Sequence, residues 1–497
     1  MSTGGMFQLI TNDGKLDSML TADNLLRQRL AMIYDENSLD PSVEDPTPTL
    51  VDIEESHVLF VNAHFKPFAA MALEYQKAKP YSGTPQLGGS IQFNIPQFGE
   101  FINDMVVHIK LSAPVLTQTP PTPADSDYYR YFDFPGEKLL KKVSFDVNGN
   151  PLDDYDYLAY VMHRQFEVGV NKQCGYYRAV GQQLPLDAVY DQDPAIAFGA
   201  GASFQQGATI YNGLQTPRAY FAAEPQILEV FMPILMWFRD PRQAIASVSI
   251  PQGQRFLTID LATKDEILAI VTRGVASDPS LSTPNIDVLE LYINNIFVTR
   301  EVHDIYIRRV GFNLIRVHRY QQAIMSKTED EIQLTRLKWP IEYIYVGIRL
   351  VANQTDPDKW WKFTELTDTV YTQATSGSTI TAQNSARIIQ RMTVSAHSVP
   401  LYNDFPAGFY SDYLPLTYGE YNLNTPCDEG LHLITFSLYP RSYQPSGHIN
   451  ISRAREFYLQ YTAASLSSVN TGQLVVYASA INILLIADGT AILRYTT

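Results

Sequence analysis

Strand-length apolar runs separated by turn signals recur along most of the chain, and they nowhere alternate with the amphipathic helices that a parallel α/β fold requires. The 31 Tyr, 24 Phe and 30 Pro among 497 residues point the same way. Aromatic and β-branched side chains fit a pleated surface and proline breaks helices, so an all-β chain is expected. A first series of candidate strands comprises His57–Phe65, Ile91–Ile95, Met105–Leu111, Leu139–Val147, Ile227–Phe238 and Arg255–Leu261. A second comprises Leu289–Val298, Val310–His318, Ile341–Val351, Ile388–Ser395, Leu431–Leu438, Glu456–Gln460 and Leu474–Ala487.

The two series share an internal pattern. Val248, Ile250, Phe256 and Leu257 align with Ile449, Ile451, Phe457 and Tyr458 at a constant offset of 201, and Pro151-Leu152 and Pro400-Leu401 each follow a strand by a few residues. Each likeness is weak alone, but their similar places in both halves favour a duplicated β domain. Eight strands fit in about 200 residues, and eight is the strand number of a jelly roll. The expected architecture is therefore two tandem eight-stranded jelly rolls with an N-terminal arm and long loops. The boundaries read from composition are 1–45 for the arm, 46–265 for the first jelly roll, 266–286 for a Ser/Pro-rich linker and 287–497 for the second. Within the arm, Asp23–Tyr34 fits a short helix with Leu26, Leu30 and Ile33 on one face. That face either packs on its own domain or docks on a neighbouring subunit or internal layer. Asn148-Gly149 reads as a tight hairpin turn, Tyr157–Phe166 as a brief helix, and the long connection before Ile227 as loop.

A formal charge of −15, with no Lys/Arg run, argues against direct genome binding. Cys174 and Cys427 are too few for a disulfide framework and suit a reducing compartment or indifference to redox. Met1–Lys15 lacks the pattern of a secretory signal, and the longest nearly apolar run, Leu474–Ala487, falls short of the roughly 20 residues a membrane helix needs. Catalytic and cofactor motifs are also missing. The nine His residues form no His-x-His or His-x-Asp pair of the kind that begins a jelly-roll iron site. Asp146-x-Asn148-x-Asn150 begins like a calcium loop, but Pro151 stands at its glycine position and Tyr157 at its bidentate glutamate. Gly199-x-Gly201 lacks the rest of a nucleotide loop. No enzyme activity and no cofactor are expected.

Several longer segments carry a resemblance. In the first half they are Ile53-Glu54-Glu55, Asn62-Ala63-His64-Phe65-Lys66-Pro67, Phe145-Asp146-Val147-Asn148-Gly149-Asn150 and Ser247-Val248-Ser249-Ile250-Pro251. In the second half they include Glu290–Asn295, Leu337-Lys338-Trp339-Pro340-Ile341-Glu342-Tyr343, Tyr443–Asn450 with Pro445 and Gly447, and Ser452–Tyr458 with Arg453 and Arg455. These resemble the major capsid proteins of African swine fever virus and related large DNA viruses of the asfarvirus type. Trp237-Phe238-Arg239-Asp240-Pro241 also looks like an aromatic strand end found more widely among such proteins, and it reads equally as a plain strand-to-strand corner.

The resemblance implies a double jelly roll that forms homotrimers of six-sided outline, which tile an icosahedral virion capsid. It implies contacts with neighbouring capsomers and with minor capsid or penton proteins, an arm on the inner side that contacts internal capsid proteins or the viral membrane layer beneath, and synthesis in the host cytoplasm. Leu26, Leu30, Ile33, Trp237, Phe238, Arg239, Pro241, Trp339, Pro340, Pro445, Gly447, Arg453 and Arg455 are the assembly candidates. The loops Tyr176–Phe221 and Tyr402–Tyr421 either interlock between chains or pack on their own module. Loops between Glu167 and Gln226, between Gln321 and Glu331 and around Asp356–Ala386 depart from the swine fever virus pattern. Abundant Tyr and Trp leave a rival of another class, a β-sandwich carbohydrate-binding or host-attachment protein.

Overall fold

The computed structural model describes residues 71–117, 128–182, 219–221, 227–250, 254–271, 280–298, 311–357, 359–372, 379–453, 456–487 and 490–495. Its main strands fall into two sets of eight. The first set is β1 (Met71–Ala78), β2 (Ser90–Asn94), β3 (Phe101–Leu111), β4 (Leu140–Val147), β5 (Asn150–Asp156), β6 (Leu228–Pro233), β7 (Arg255–Leu261) and β8 (Ile286–Val298). The second is β9 (Gly311–Met325), β10 (Glu329–Gln333), β11 (Pro340–Leu350), β12 (Ile389–Ala396), β13 (Val399–Pro406), β14 (Leu431–Thr435), β15 (Phe457–Ala463) and β16 (Gly472–Ala487).

Pairing is antiparallel throughout. In the first set the sheets run β1-β8-β3-β6 and β2-β7-β4-β5. In the second they run β9-β16-β11-β14 and β10-β15-β12-β13. Adding eight to each label of the first set reproduces the second, so the chain is two jelly rolls of one topology. Alternation along each strand fills the two cores. Met105, Val107 and Ile109 of β3 and Val143 and Phe145 of β4 are buried in the first, and Ile344, Val346 and Ile348 of β11 and Leu459 and Tyr461 of β15 in the second.

Three expectations need correction. Strand Ile286–Val298 belongs to the first jelly roll, because it lies between β1 and β3. The supposed linker 266–286 is then an internal connection, and it contains Leu268–Val271, which pairs with Tyr128–Tyr131. Serine and proline mark loops, and a loop inside a domain has the composition of one between domains. The repeat offset is also off by one at β7 and β15. Leu257 and Leu459 both point into their cores, whereas an offset of 201 pairs the half-buried Phe256 with the buried Phe457. One residue of slip exchanges the two faces of a strand. The candidate Ile227–Phe238 ends as strand at Pro233, and its last part is a 3₁₀ turn. Candidate His57–Phe65 and the arm lie outside the described residues.

Between β4 and β5, Asn148 and Gly149 take φ of 52° and 77°, the left-handed conformations of a tight hairpin, and His397 and Ser398 do the same between β12 and β13. Among the described residues no atom would crowd a Cβ at Gly149. Gly149→Ala is therefore expected to cost only the backbone conformational penalty of about 1 kcal/mol, measured as a shifted denaturation midpoint with an unchanged slope.

Candidate functional site: the seam between the jelly rolls and the exposed apolar faces

The two jelly rolls meet along a polar and aromatic seam. Strands β5 and β9 supply its middle. Asp153 accepts from the His318 backbone N–H (2.8 Å) and lies 2.9 Å from Nδ1 of the same residue. Tyr320 donates to Asp154 (3.3 Å) and Gln322 to Asp156 (2.5 Å). His318, Tyr320 and Gln322 recur at period two, so one face of β9 presents all three.

Farther along, Trp360 and Trp361 direct their indole N–H groups to Asp133, at its backbone oxygen (2.7 Å) and its carboxylate (3.1 Å). Phe166 stacks on Tyr345 with centroids 4.2 Å apart, while Gln165 accepts from the backbone N–H groups of Cys427 and Asp428. The Lys138 ammonium donates to the Gln354 carbonyl and lies 3.8 Å from the centre of the Phe132 ring. Burial, aided by Arg349, pushes its pKa down to about 7.

Two ion clusters, one buried and one partly buried, complete the seam. Arg164 donates to Glu137 (2.9 Å), and its guanidinium lies over Phe134 (3.6 Å) and Trp361 (4.6 Å), a ring from each jelly roll. Glu167 is shared by Arg441 of the second jelly roll with Arg239 (3.5 Å) and His163 of the first. Burial opposes its charge, but Arg441 and His163 outweigh that penalty and hold the carboxyl well below the ordinary range. His163 is pushed down to about 4 by burial and by Arg239.

His318 provides a pH test. Burial disfavours its charge, but Asp153 outweighs burial and raises the pKa, with Glu167 adding and Arg239 opposing. A folded-state value above the unfolded one stabilises fully below the ordinary imidazole range, and this stabilisation is lost as pH rises through the raised value. His318→Gln is expected to remove that component, so stability measured at ~pH 6 and ~pH 8 should fall less between them than in the parent.

The sequence-derived candidates distribute unevenly. Trp237 and Phe238 are core residues against Phe145, Arg239 enters the Glu167 cluster, and Pro241 begins a 3₁₀ turn, so this segment is a strand-to-strand corner. Trp339 is buried with φ of 80°, and the Arg319 guanidinium lies 3.5 Å from its ring centre. Pro340 opens β11 opposite Asn450. Trp237, Pro241 and Pro445 line one groove between the jelly rolls. Gly447 has φ of 146°, and a Cβ there would press on the Phe436 carbonyl. Arg453 ends the turn Ile451–Arg453, while Leu26, Leu30, Ile33 and Arg455 lie outside the described residues.

Glu137, Arg164, Glu167, Arg441 and Trp360 were not among the candidates. Their signal was a charge set within an aromatic stretch, as in Tyr160-Val161-Met162-His163-Arg164-Gln165-Phe166-Glu167. Among the described residues no three His, Cys, Asp or Glu side chains converge as a metal site.

Away from the seam, Met71, Leu73 and Tyr75 form an exposed stripe along β1, and Val399, Leu401 and Phe405 another along β13. In the Tyr402–Tyr421 segment, Tyr410 and Leu414 are buried while Tyr413, Leu416 and Tyr421 face outward. Tyr176 instead packs inward, donating to Glu137.

The fold and the full length of the chain find counterparts among viral proteins. The African swine fever virus major capsid protein (isolate Warthog/Namibia/Wart80/1980) is 33% identical over 651 aligned positions that span all of both chains. The chain belongs to the large DNA virus major capsid proteins. The family described as large eukaryotic DNA virus major capsid protein matches residues 296–492. The Phaeocystis pouchetii virus major capsid protein is 21% identical over 84% of this chain and 91% of its own. Among solved structures, the Faustovirus major capsid protein superposes with a TM-score of 0.74 at 34% identity, covering 96% of this chain and all of that one. The PBCV-1 virus capsid protein shares the fold, with a TM-score of 0.60 at 16% identity over 86% of this chain and 98% of that one. An alignment longer than the 497-residue chain means that the swine fever virus capsid protein carries insertions this one lacks.

Proposed function

We propose that three copies of this capsid protein form a homotrimeric, pseudo-hexameric capsomer that tiles the icosahedral shell of a large double-stranded DNA virus. The observation that carries this reading is the strand-by-strand equivalence of the two jelly rolls in one chain. Two like modules in each of three chains give six near-equivalent corners, so a particle of true threefold symmetry can occupy a sixfold position. The apolar stripes on β1 and β13 support it, because a permanent interface of about 2,000–5,000 Å² needs such surface. Light scattering of the purified chain at micromolar concentration tests the proposal. The expected mass is three times the 56.0 kDa chain, and a monomer overturns it.

The role is structural and without catalysis, in a virion component made in the host cytoplasm. Neighbouring capsomers and minor capsid or penton proteins are its partners, and residues 1–45 face the inner layer and its membrane. Deleting 1–45 is expected to leave the trimer intact but to reduce shell assembly severalfold, scored by counting particles in electron micrographs. Undiminished assembly contradicts that role for the arm.

A further inference from the structure

A cavity of about 170 Å³ opens at the seam, with walls from both jelly rolls. We propose that it is a binding site for a phosphate-class oxyanion that ties the two jelly rolls together.

Four arginines line it: Arg239, Arg242, Arg316 and Arg441. Two have their own carboxylates. Arg316 makes a two-pronged contact with Glu342 (2.6 and 3.1 Å), and Arg242 makes one with Asp240 (3.0 and 2.7 Å). Arg239 and Arg441 are left to share Glu167. His318 faces Asp153, so it adds no unmatched charge when protonated, and His163 in the same wall is held neutral near pH 7. With His318 protonated, the four guanidiniums therefore face three carboxylates, Glu167, Asp240 and Glu342, with Asp104 outside the lining also acting on Arg239. Arg441 also repels Arg239, whose pKa is lowered by burial and by that neighbour.

Hydrogen-bonding capacity is unbalanced in the same direction. The hydroxyls of Tyr345 and Tyr477 belong to buried residues of the lining, and neither has a hydrogen bond of good geometry among the described residues, although Tyr343 stands beside Tyr345. An excess of donors and of positive charge calls for an acceptor-rich anion. A tetrahedral phosphate presents oxygens to guanidinium forks and hydroxyls together. The volume exceeds the roughly 10–15 Å³ that one water needs by this measure, so a phosphate with part of its hydration shell has room. Free orthophosphate and the terminal phosphate of a nucleoside triphosphate carry the same group.

The test uses the full purified chain at fixed pH and ionic strength. Orthophosphate, pyrophosphate and adenosine triphosphate are each titrated at low millimolar concentration, where general salting effects are small, by calorimetry and by thermal unfolding against chloride. Saturable binding with a rise in Tm is expected, and tighter binding of orthophosphate or of the triphosphate identifies the source. Arg239→Gln is expected to weaken binding at least tenfold. Tyr477→Phe removes one unpartnered hydroxyl from a ring held against Tyr320, so it keeps the proposal testable should Arg239→Gln fail to fold. It is expected to keep the parent's Tm in chloride and to bind severalfold more weakly. No saturation by about 10 mM phosphate, or parent-like binding by Tyr477→Phe together with any folded Arg239→Gln, overturns the proposal. The site lies within one chain, so its failure is distinct from failure to form a trimer.

Discussion

Glu167→Gln is expected to lower the stability of the capsid protein by about 2–4 kcal/mol, toward the lower end of the range for removing one partner of a buried ion pair, because Glu167 and its arginines stay partly exposed at the seam cavity. The glutamine is isosteric, so the loss is electrostatic rather than steric. One carboxylate serves Arg441 and Arg239, and without it two guanidiniums face each other across the seam. Arg441→Gln in the same chain should restore part of the loss, because it removes one of the stranded cations. Urea unfolding of the parent, both single variants and the double variant measures this, and a loss below about 1 kcal/mol for Glu167→Gln contradicts the account. The pH dependence has a definite sign. A carboxyl held far below its ordinary value of 4.5 contributes fully above that value, and the contribution is lost only as pH falls through the depressed one. This is opposite in direction to the His318 effect.

Trp360→Ala should be comparably damaging, at about 3–5 kcal/mol for a large core truncation. Its side chain is fully buried, its indole donates to the Asp133 carbonyl of the other jelly roll, and its own carbonyl accepts from Arg349 (2.6 Å). The cavity would open where the jelly rolls meet, so their unfolding should separate into two thermal transitions in the variant, whereas the parent is expected to melt in one coupled transition. Trp360→Phe keeps most of the packing but leaves the Asp133 carbonyl without this donor, and about 1–3 kcal/mol is expected. If Trp360→Ala leaves Tm unchanged, the seam is not held together by this contact.

The legible part of the fold was its interior. Strands such as Met105–Leu111, Leu139–Val147 and Arg255–Leu261 carry the apolar alternation that burial of one face demands, and they form where expected within a residue or a few. The four main strands missing from the sequence reading, β1, β5, β10 and β13, are all edge strands. Met-Ala-Leu-Glu-Tyr-Gln-Lys-Ala in β1 is rich in helix formers, Glu-Asp-Glu-Ile-Gln in β10 is charged, and β5 and β13 each carry proline at their second position. Edges use charge and proline to discourage unwanted pairing, so they lack the pattern by which a strand is recognised. The seam was hidden for a different reason. Glu167 and Arg441 lie far apart in sequence, and nothing local to either announces the other; only the packing of the two jelly rolls brings them together.

The most direct test is a cryo-electron microscopy reconstruction of the purified assembled particle. A threefold particle of six-sided outline is expected, built from six jelly rolls, two from each chain and joined through the Glu167–Arg441 seam. A six-sided ring of six chains, or a threefold particle whose chains each contribute a single jelly roll to the ring, would contradict it.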